Sequence, residues 1–444
     1  MILTIWDLIL PPVYLFLILS IAFYIKNKHK GDISYKYYVP GLLIKFTGGI
    51  FLGLVYIFYY GGGDTTNYFE SAVAMNNLLV QDPSCFFNVM FGKTDWESYS
   101  CFSNETGYPM YYGDPRAFFV VKLITPIVII SLQSYIVSTI ILAWICYSGI
   151  WRLYKVFVNE FPALYKNMAI AILFIPSVVF WGSGILKDSI TLAAIGWFTY
   201  GFYCFFIKKE FNVKWAICLV ASAFLLLSIK PYILFALLPG SLIWLLNYSI
   251  SGLENKFVKT VILPFIICIG GVGAILILRQ LDESMGLYAL DSVIDRAIVV
   301  QKDMKQDYYG GASFDIGDLD GSIAGMLAKA PWAIAAGLFR PYLWDVKSVI
   351  MLFSALENTY ILFLTLYLLM KLKVFGVFSL IQEHPMLLFS MLFSLFFAFS
   401  VGISISNFGS LVRLKIPAIP FFVAGLFILK YLYTRRNIRG AASS

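Results

Sequence analysis

The stretch FLGLVYIFYYGGGDTTNYF, residues 51–69, ends an apolar run on two tyrosines, crosses three glycines and reaches the carboxylate of Asp64 at once. The run it closes begins near residue 40. That is long enough to cross a bilayer, whose hydrocarbon takes roughly 20 apolar residues. Runs of the same kind recur at 6–25, 134–153, 167–186, 189–207, 213–229, 232–248, 257–279, 348–370, 385–404 and 416–434. The stretch 117–132 is also apolar, but it is short and contains Pro126. It reads as a tilted span, a re-entrant piece or an interfacial helix. The expected fold is therefore all-α: a polytopic α-helical membrane protein of about 11–12 transmembrane helices, with 1–444 forming a single integral membrane domain.

Composition agrees. Only 13% of the 444 residues are charged and 60% are hydrophobic, whereas soluble domains carry about 25% charged residues. The net charge of +8 does not point to nucleic acid, because the basic residues form short clusters beside apolar runs. They lie at Lys26, Lys28, Lys30 and Lys36; at Arg152, Lys155 and Lys166; at Lys208, Lys209 and Lys214; at Lys256 and Lys259; at Lys371 and Lys373; and at Arg435, Arg436 and Arg439. If 117–132 does not fully cross, all of these clusters share one side, which the positive-inside rule makes the cytoplasm. The N-terminus is then outside and the C-terminus inside. The first apolar run lacks a basic leader and a small-residue cleavage site, so it is expected to remain as an anchor.

Two long segments then face outward. Residues 61–116 hold seven acids against Lys93 and Arg116, and 280–347 is also acid-rich. Loops of this length are usually functional or disordered, and the aromatic and apolar residues running through both argue against disorder. Leu290, Ile294 and Ile298 recur at helical spacing, as in an amphipathic helix on a membrane surface. Cys85 and Cys101 share the first loop, where a disulfide and two thiols are both open; Cys146, Cys204, Cys218 and Cys268 lie in apolar runs. The two histidines, His29 and His384, have no partners nearby in sequence, which argues against His-based triads and zinc. No phosphate-cradling glycine motif occurs, which argues against an ATP-driven pump.

Ionisable residues beside or inside spans are the functional candidates. Asp64 lies at the membrane surface, within reach of a lipid head group. It suits a general base on an acceptor hydroxyl, a ligand to a divalent cation, or a cap for the helix that follows. That divalent cation is the one cofactor the sequence brings up. In FIPSVVFWGSGILKDSI, Lys187 and Asp188 sit between two apolar runs with no real loop. They suit phosphate and sugar-hydroxyl (or metal) binding, or a turn whose side chains snorkel. Lys230, in a similar turn, favours the structural reading. Arg340 lies where an outer-leaflet phosphate would sit, and Glu357 inside a span suits pairing with a cation. Arg413 and Lys415 are basic residues on the side where few are expected, and anion binding is the simplest reason. Asp315, Asp318 and Asp320 cluster with glycines but fall short of calcium-loop spacing.

A carboxylate that opens the first outer loop, a P-x4-W-x2-G-x2-K-D turn (Pro176 to Asp188) and an Arg before a P-x-x-P span (Arg413, Pro417, Pro420) resemble the GT-C class of integral membrane glycosyltransferases and related bacterial surface-polysaccharide enzymes. The resemblance implies a polyprenyl-phosphate-linked sugar as donor, a membrane-lipid partner and a bacterial inner (cytoplasmic) membrane location. It also implies a catalytic role for Asp64, substrate contacts from the turn residues Lys187 and Asp188, and Arg413 as the phosphate binder; Arg340 and Lys415 join them as substrate-binding candidates from their own positions in the sequence. The chain departs from better-known members: Thr65 follows Asp64 where they have Glu, no WWD-type motif or large soluble C-terminal domain is present, and the extra run 6–25 precedes. An O-antigen-type polysaccharide polymerase, a lipid-linked-glycan flippase or transporter, and an envelope scaffold subunit are the rival readings.

Overall fold

A computed structural model describes residues 2–250, 299, 313–314, 317 and 323–442. The expected span 257–279, the surface helix through Leu290, Ile294 and Ile298, and the aspartates Asp315, Asp318 and Asp320 lie outside the described residues. What is described is helical, with one isolated two-residue bridge between Ser313 and Asn407. Among the described residues, seven helices are long and apolar enough to cross a membrane, or eight if a bent pair near the C-terminus counts as one span. The chain is a multi-pass α-helical membrane protein. It forms two compact units: Met1–Lys155, Val178–Tyr200 and Cys218–Lys230 make unit 1, and Val156–Ser177, Gly201–Ile217 and Pro231–Ser444 make unit 2.

One expected span takes another form, and the two short runs 213–229 and 117–132 each stay a single helix close to their expected bounds. The run 167–186 is two short helices, Tyr165–Leu173 and Pro176–Trp181. Pro176 has no N–H to continue the first helix, so the ladder breaks there. The run 213–229 is a helix of 17 residues, Val213–Ile229. The stretch 117–132 belongs to a helix of 16 residues, Pro115–Ile130. At 1.5 Å per residue that is ~24 Å, short of the roughly 30 Å of hydrocarbon.

In unit 1 we label α1 Trp6–Lys28, α2 Tyr38–Leu54, α3 Asp64–Gln81, α4 Pro83–Phe91, α5 Trp96–Tyr99, α6 Pro115–Ile130, α7 Tyr135–Glu160, α8 Lys187–Phe202 and α9 Val213–Ile229. Contacts at both ends fix their directions. At one end the buried carboxylate of Asp7, in the first turn of α1, accepts from Ser134 Oγ at 2.7 Å and from the Ile136 N–H at 2.9 Å, at the start of α7. Tyr135 there packs against Gly53, near the end of α2. At the other end Asp32 pairs with Lys155, and Tyr147 donates to the Tyr38 carbonyl at 2.7 Å. Helices α1 and α7 are thus parallel and α2 antiparallel to them. Residues 60–134 leave α2 and return at α7 on the same end of the unit, so α6 does not reverse the chain. Gly149 of α7 meets Ala193 and Gly196 of α8 backbone to backbone, which only small residues allow. Arg152 lies over the Tyr200 ring further along. Helix α8 therefore runs with α7 and begins nearer the end where α3 lies. Cys218 of α9 donates to the Trp197 carbonyl, and α9 runs back to finish at Lys230 beside Asp188.

Residues 61–116, the expected outer loop, form a folded layer. One stripe of α3, including Tyr68, Phe69, Ala72 and Met75, is buried with Phe118, Val121 and Ile124 of α6 in a common core. Cys85 of α4 and Cys101 form a disulfide. For a loop of this separation a crosslink contributes about 3 kcal/mol by the chain-entropy model. Cys85→Ser is expected to make residues 92–100 markedly more sensitive to added protease, with α3 and α6 remaining protected; limited proteolysis with mass spectrometry checks this.

In unit 2, α10 is Pro231–Ile250, α11 Ile323–Ala328, α12 Ala330–Phe339, α13 Val349–Glu383, α14 Pro385–Ser404, α15 Phe408–Leu414 and α16 Ile419–Ala442. Part of the expected outer loop 280–347 is thus an apolar helix. Helix α12 has only 10 residues, too short to register as a span, yet Ala333 and Gly337 sit against Gly402 and Ala398 of α14. Trp244, Phe389, Phe393 and Phe421 form a buried ring cluster. Helices α15 and α16 meet at a 66° bend, and Lys415 lies in that break.

Candidate functional site

The turn before α3 is built from Gly61, Gly62 and Gly63, with φ of 71°, 128° and 137°. Side chains other than glycine rarely adopt these values, so the sequence reverses here with no residue to spare. Gly63 takes the N-cap position and Asp64 is the first helical residue. Thr66 makes the reciprocal cap contacts: its Oγ1 accepts the Gly63 N–H at 3.0 Å and donates to the Gly63 carbonyl at 2.8 Å.

The Tyr111 hydroxyl donates to Asp64 Oδ1 at 2.7 Å, and its ring lies 4.5 Å from that of Tyr68. Tyr111 heads a turn whose carbonyl accepts the Asp114 N–H at 3.0 Å. Asp114 caps α6: its Oδ1 takes the N–H groups of Arg116 and Ala117, and its Oδ2 takes Lys187 Nζ at 3.3 Å. Next to Lys187, Asp188 is buried and binds Lys230 Nζ at 2.5 Å. One run of contacts therefore links Asp64, the Lys187–Asp188 turn and Lys230 within unit 1. The candidate base and the two turn residues are joined through Tyr111 and Asp114.

Asp188 and Lys230 neutralise one another. A buried carboxylate is held in its charged form only by such a partner. Asp188 thus shapes the start of α8 from beneath, and Lys187, one residue earlier, is the more exposed of the two.

The Asp114 carboxyl lies below the ordinary aspartate range. Burial alone would raise it; the Ala117 N–H, the Lys187 charge and the Arg116 N–H outweigh that. A lowered folded value means that its stabilisation is complete above the unfolded-chain value of roughly 3.9. The stabilisation is lost as pH falls through the folded value. Asp114→Asn keeps a capping side chain and removes the charge. It is expected to flatten this acid-side loss while costing under ~1 kcal/mol at neutral pH, as for other exposed pairs; the thermal midpoint titrated with acid in detergent checks it.

In unit 2, Lys415 is fully buried and donates to the Leu338 carbonyl at 3.2 Å, the Arg340 carbonyl at 2.9 Å and Asn358 Oδ1 at 2.7 Å. It holds the backbone of Arg340. The Arg340 guanidinium lies over three rings: Phe314 at 5.0 Å, Tyr342 at 5.5 Å and Phe408 at 5.9 Å. No carboxylate among the described residues is within ion-pair distance of it. Aromatic rings attract a cation, and a guanidinium carries several N–H donors that suit a planar or tetrahedral anion. Arg413 is half-buried on α15, the helix that Phe408 begins. Glu357 accepts from the N–H and hydroxyl of Ser177, at 2.8 and 2.6 Å.

Residues that the sequence reading passed over include Asp7, Tyr111, Asp114 as the partner of Lys187, and Lys45. Lys45 is buried in α2 and donates to the Gly182 carbonyl. A lysine within an apolar run and a polar residue at an apolar run's first turn were the available cues. Among the described residues no three His, Cys, Asp or Glu side chains gather as a metal site would require. No family model, curated protein or solved structure matches the chain.

Proposed function

We propose that the protein is a membrane glycosyltransferase. It moves a sugar or glycan from a polyprenyl-phosphate-linked donor to an acceptor hydroxyl at the outer face of a bacterial cytoplasmic membrane, in surface polysaccharide or glycoconjugate assembly. The observation that carries this reading is the run of contacts from Asp64 through Tyr111 and Asp114 to Lys187, at one end of an apolar helical unit. In the proposed step Asp64 takes the proton of the acceptor hydroxyl as its oxygen bonds to the sugar's anomeric carbon. The bond from that carbon to the phosphate oxygen breaks, and the phosphate leaves with the electron pair. Lys187 offsets the charge that develops. The phosphate leaving group carries the energy, so no nucleotide site is needed.

Two facts support the sidedness. The end of unit 1 opposite Asp64 carries Lys28, Arg152 and Lys155, as a cytoplasmic end would. The Cys85–Cys101 disulfide suits an oxidising compartment. In unit 2, taken by itself, the Arg340 guanidinium among three rings is assigned to anion binding, and Lys415 to holding it through its carbonyl. Arg340→Lys is expected to weaken binding of a polyprenyl phosphate probe at least tenfold with the fold intact, because an ammonium reproduces neither the planar face nor the paired donors; probe binding and membrane yield, measured together, check this. The reading itself is tested by mass spectrometry of lipids from cells with and without the protein. It requires a lipid-linked sugar to accumulate when the protein is missing, and unchanged lipid-linked pools would remove its basis.

A further inference from the structure

A cavity of about 440 Å³ lies beside the middle of α3, lined from Phe69 to Asn77 and not by Asp64. Its polar wall is made by Glu70, Asn77, Asn104, Glu105 and Gln133, and Tyr108 stands at its rim. Phe69, Val73 and Ala74 supply an apolar side. Among the described residues no lysine, arginine or histidine side chain lines it. Two carboxylates with no cation repel phosphates and uronates. Side-chain amides present a donor and an acceptor side by side, which matches neighbouring hydroxyls, and an exposed aromatic ring offers a face for the C–H side of a sugar.

Part of the wall is already set. Gln133 Nε2 donates to Asn77 Oδ1 and Asn77 Nδ2 to the Thr106 carbonyl, both at 3.1 Å. Gln81 donates to one oxygen of Glu105 at 3.0 Å. Among the described residues, the side chains of Glu70 and Asn104 make no hydrogen bond, and their donors and acceptors remain for a ligand.

One loop segment touches both the cavity wall and Asp64. The segment 103–112 runs antiparallel over α3, touching Asn77 through the Thr106 carbonyl, Ser71 through the Met110 N–H, and Asp64 through Tyr111. Helical rise places Glu70 and Asn77 ~9 and ~20 Å along α3 from Asp64.

We propose that this cavity binds a neutral sugar residue of the acceptor glycan, set back along the chain from the hydroxyl that Asp64 deprotonates. The inference rests on the glycosyl-transfer reading and deepens it: the acceptor is an oligosaccharide, and the cavity governs how far it is extended. The test compares the length distribution and amount of surface glycan made by cells carrying wild-type protein, Glu70→Ala/Asn104→Ala, Asn104→Trp (which blocks the rim) or Asp64→Asn, with membrane insertion verified. Both exposed-residue variants are expected to lower long-chain product at least tenfold while the lipid-linked donor is still consumed, and Asp64→Asn to make none. Wild-type lengths and amounts from both cavity variants, with Asp64→Asn inactive, would overturn the cavity proposal and leave the transfer reading standing. Wild-type glycan from Asp64→Asn would remove the transfer reading instead. The cavity is then judged on purified full-length protein in nanodiscs over an array of neutral and uronate-bearing oligosaccharides. Retention of neutral sugars that Asn104→Trp abolishes supports it, and no retention of any neutral sugar overturns it.

Discussion

Asp64→Asn is expected to lower glycan transfer by about 10²–10⁴-fold, the usual contribution of a positioned general base, with the protein still folded. The amide oxygen still accepts the Tyr111 hydroxyl, and the cap of α3 is made by Gly63 and Thr66, so the helix start is untouched. What is lost is the group that takes the proton. Tyr111→Phe removes only the bond that orients Asp64, and a hydrogen bond to a charged group contributes about 1.5–3 kcal/mol. Its effect is expected to be intermediate. Initial rates for the three proteins at equal membrane content check the order. Equal rates for wild type and Asp64→Asn would make Asp64 a helix-start residue and nothing more.

Lys230→Met is expected to destabilise the protein by about 3–5 kcal/mol, because it removes a cation bound to a buried carboxylate. Asp188 is 3% exposed and Lys230 9%, so solvent does little to screen the pair. The double variant Asp188→Asn/Lys230→Met removes both charges and is expected to recover most of the loss. A buried pair replaced by neutral groups of similar size is often close to neutral in stability. Apparent melting midpoints in detergent, with membrane yield alongside, give the comparison. A double variant no more stable than Lys230→Met would show that Asp188 is held by something other than Lys230.

The multi-pass helical class was legible because long apolar runs with few charges admit little else. Which runs become single helices was less so. Pro176 splits one expected span, and α12 was hidden because an apolar run of 10 residues, half of them Ala or Gly, does not look like a membrane element. Asp64 and the Lys187–Asp188 turn stood out as charges at the ends of apolar runs. Their connection did not, because Tyr111 and Asp114 sit in a loop 47 residues from one and 73 from the other. Local patterns carry no record of such pairings. Lys415 shows the same limit. Its place before Pro417 suggested an outward-facing cation, yet the bend between α15 and α16 turns it inward onto three protein oxygens.

The central claim is that Asp64 carries proton transfer in the release of polyprenyl phosphate from a lipid-linked sugar. The most direct measurement incubates lipid extract from cells lacking the protein with purified wild-type or Asp64→Asn protein in nanodiscs, supplies surface glycan as acceptor, and follows sugar-free polyprenyl phosphate or diphosphate by mass spectrometry. The account predicts release with wild type and at most about one hundredth of that rate with Asp64→Asn. Release at equal rates from both proteins, or none from wild type with acceptor present, would contradict it.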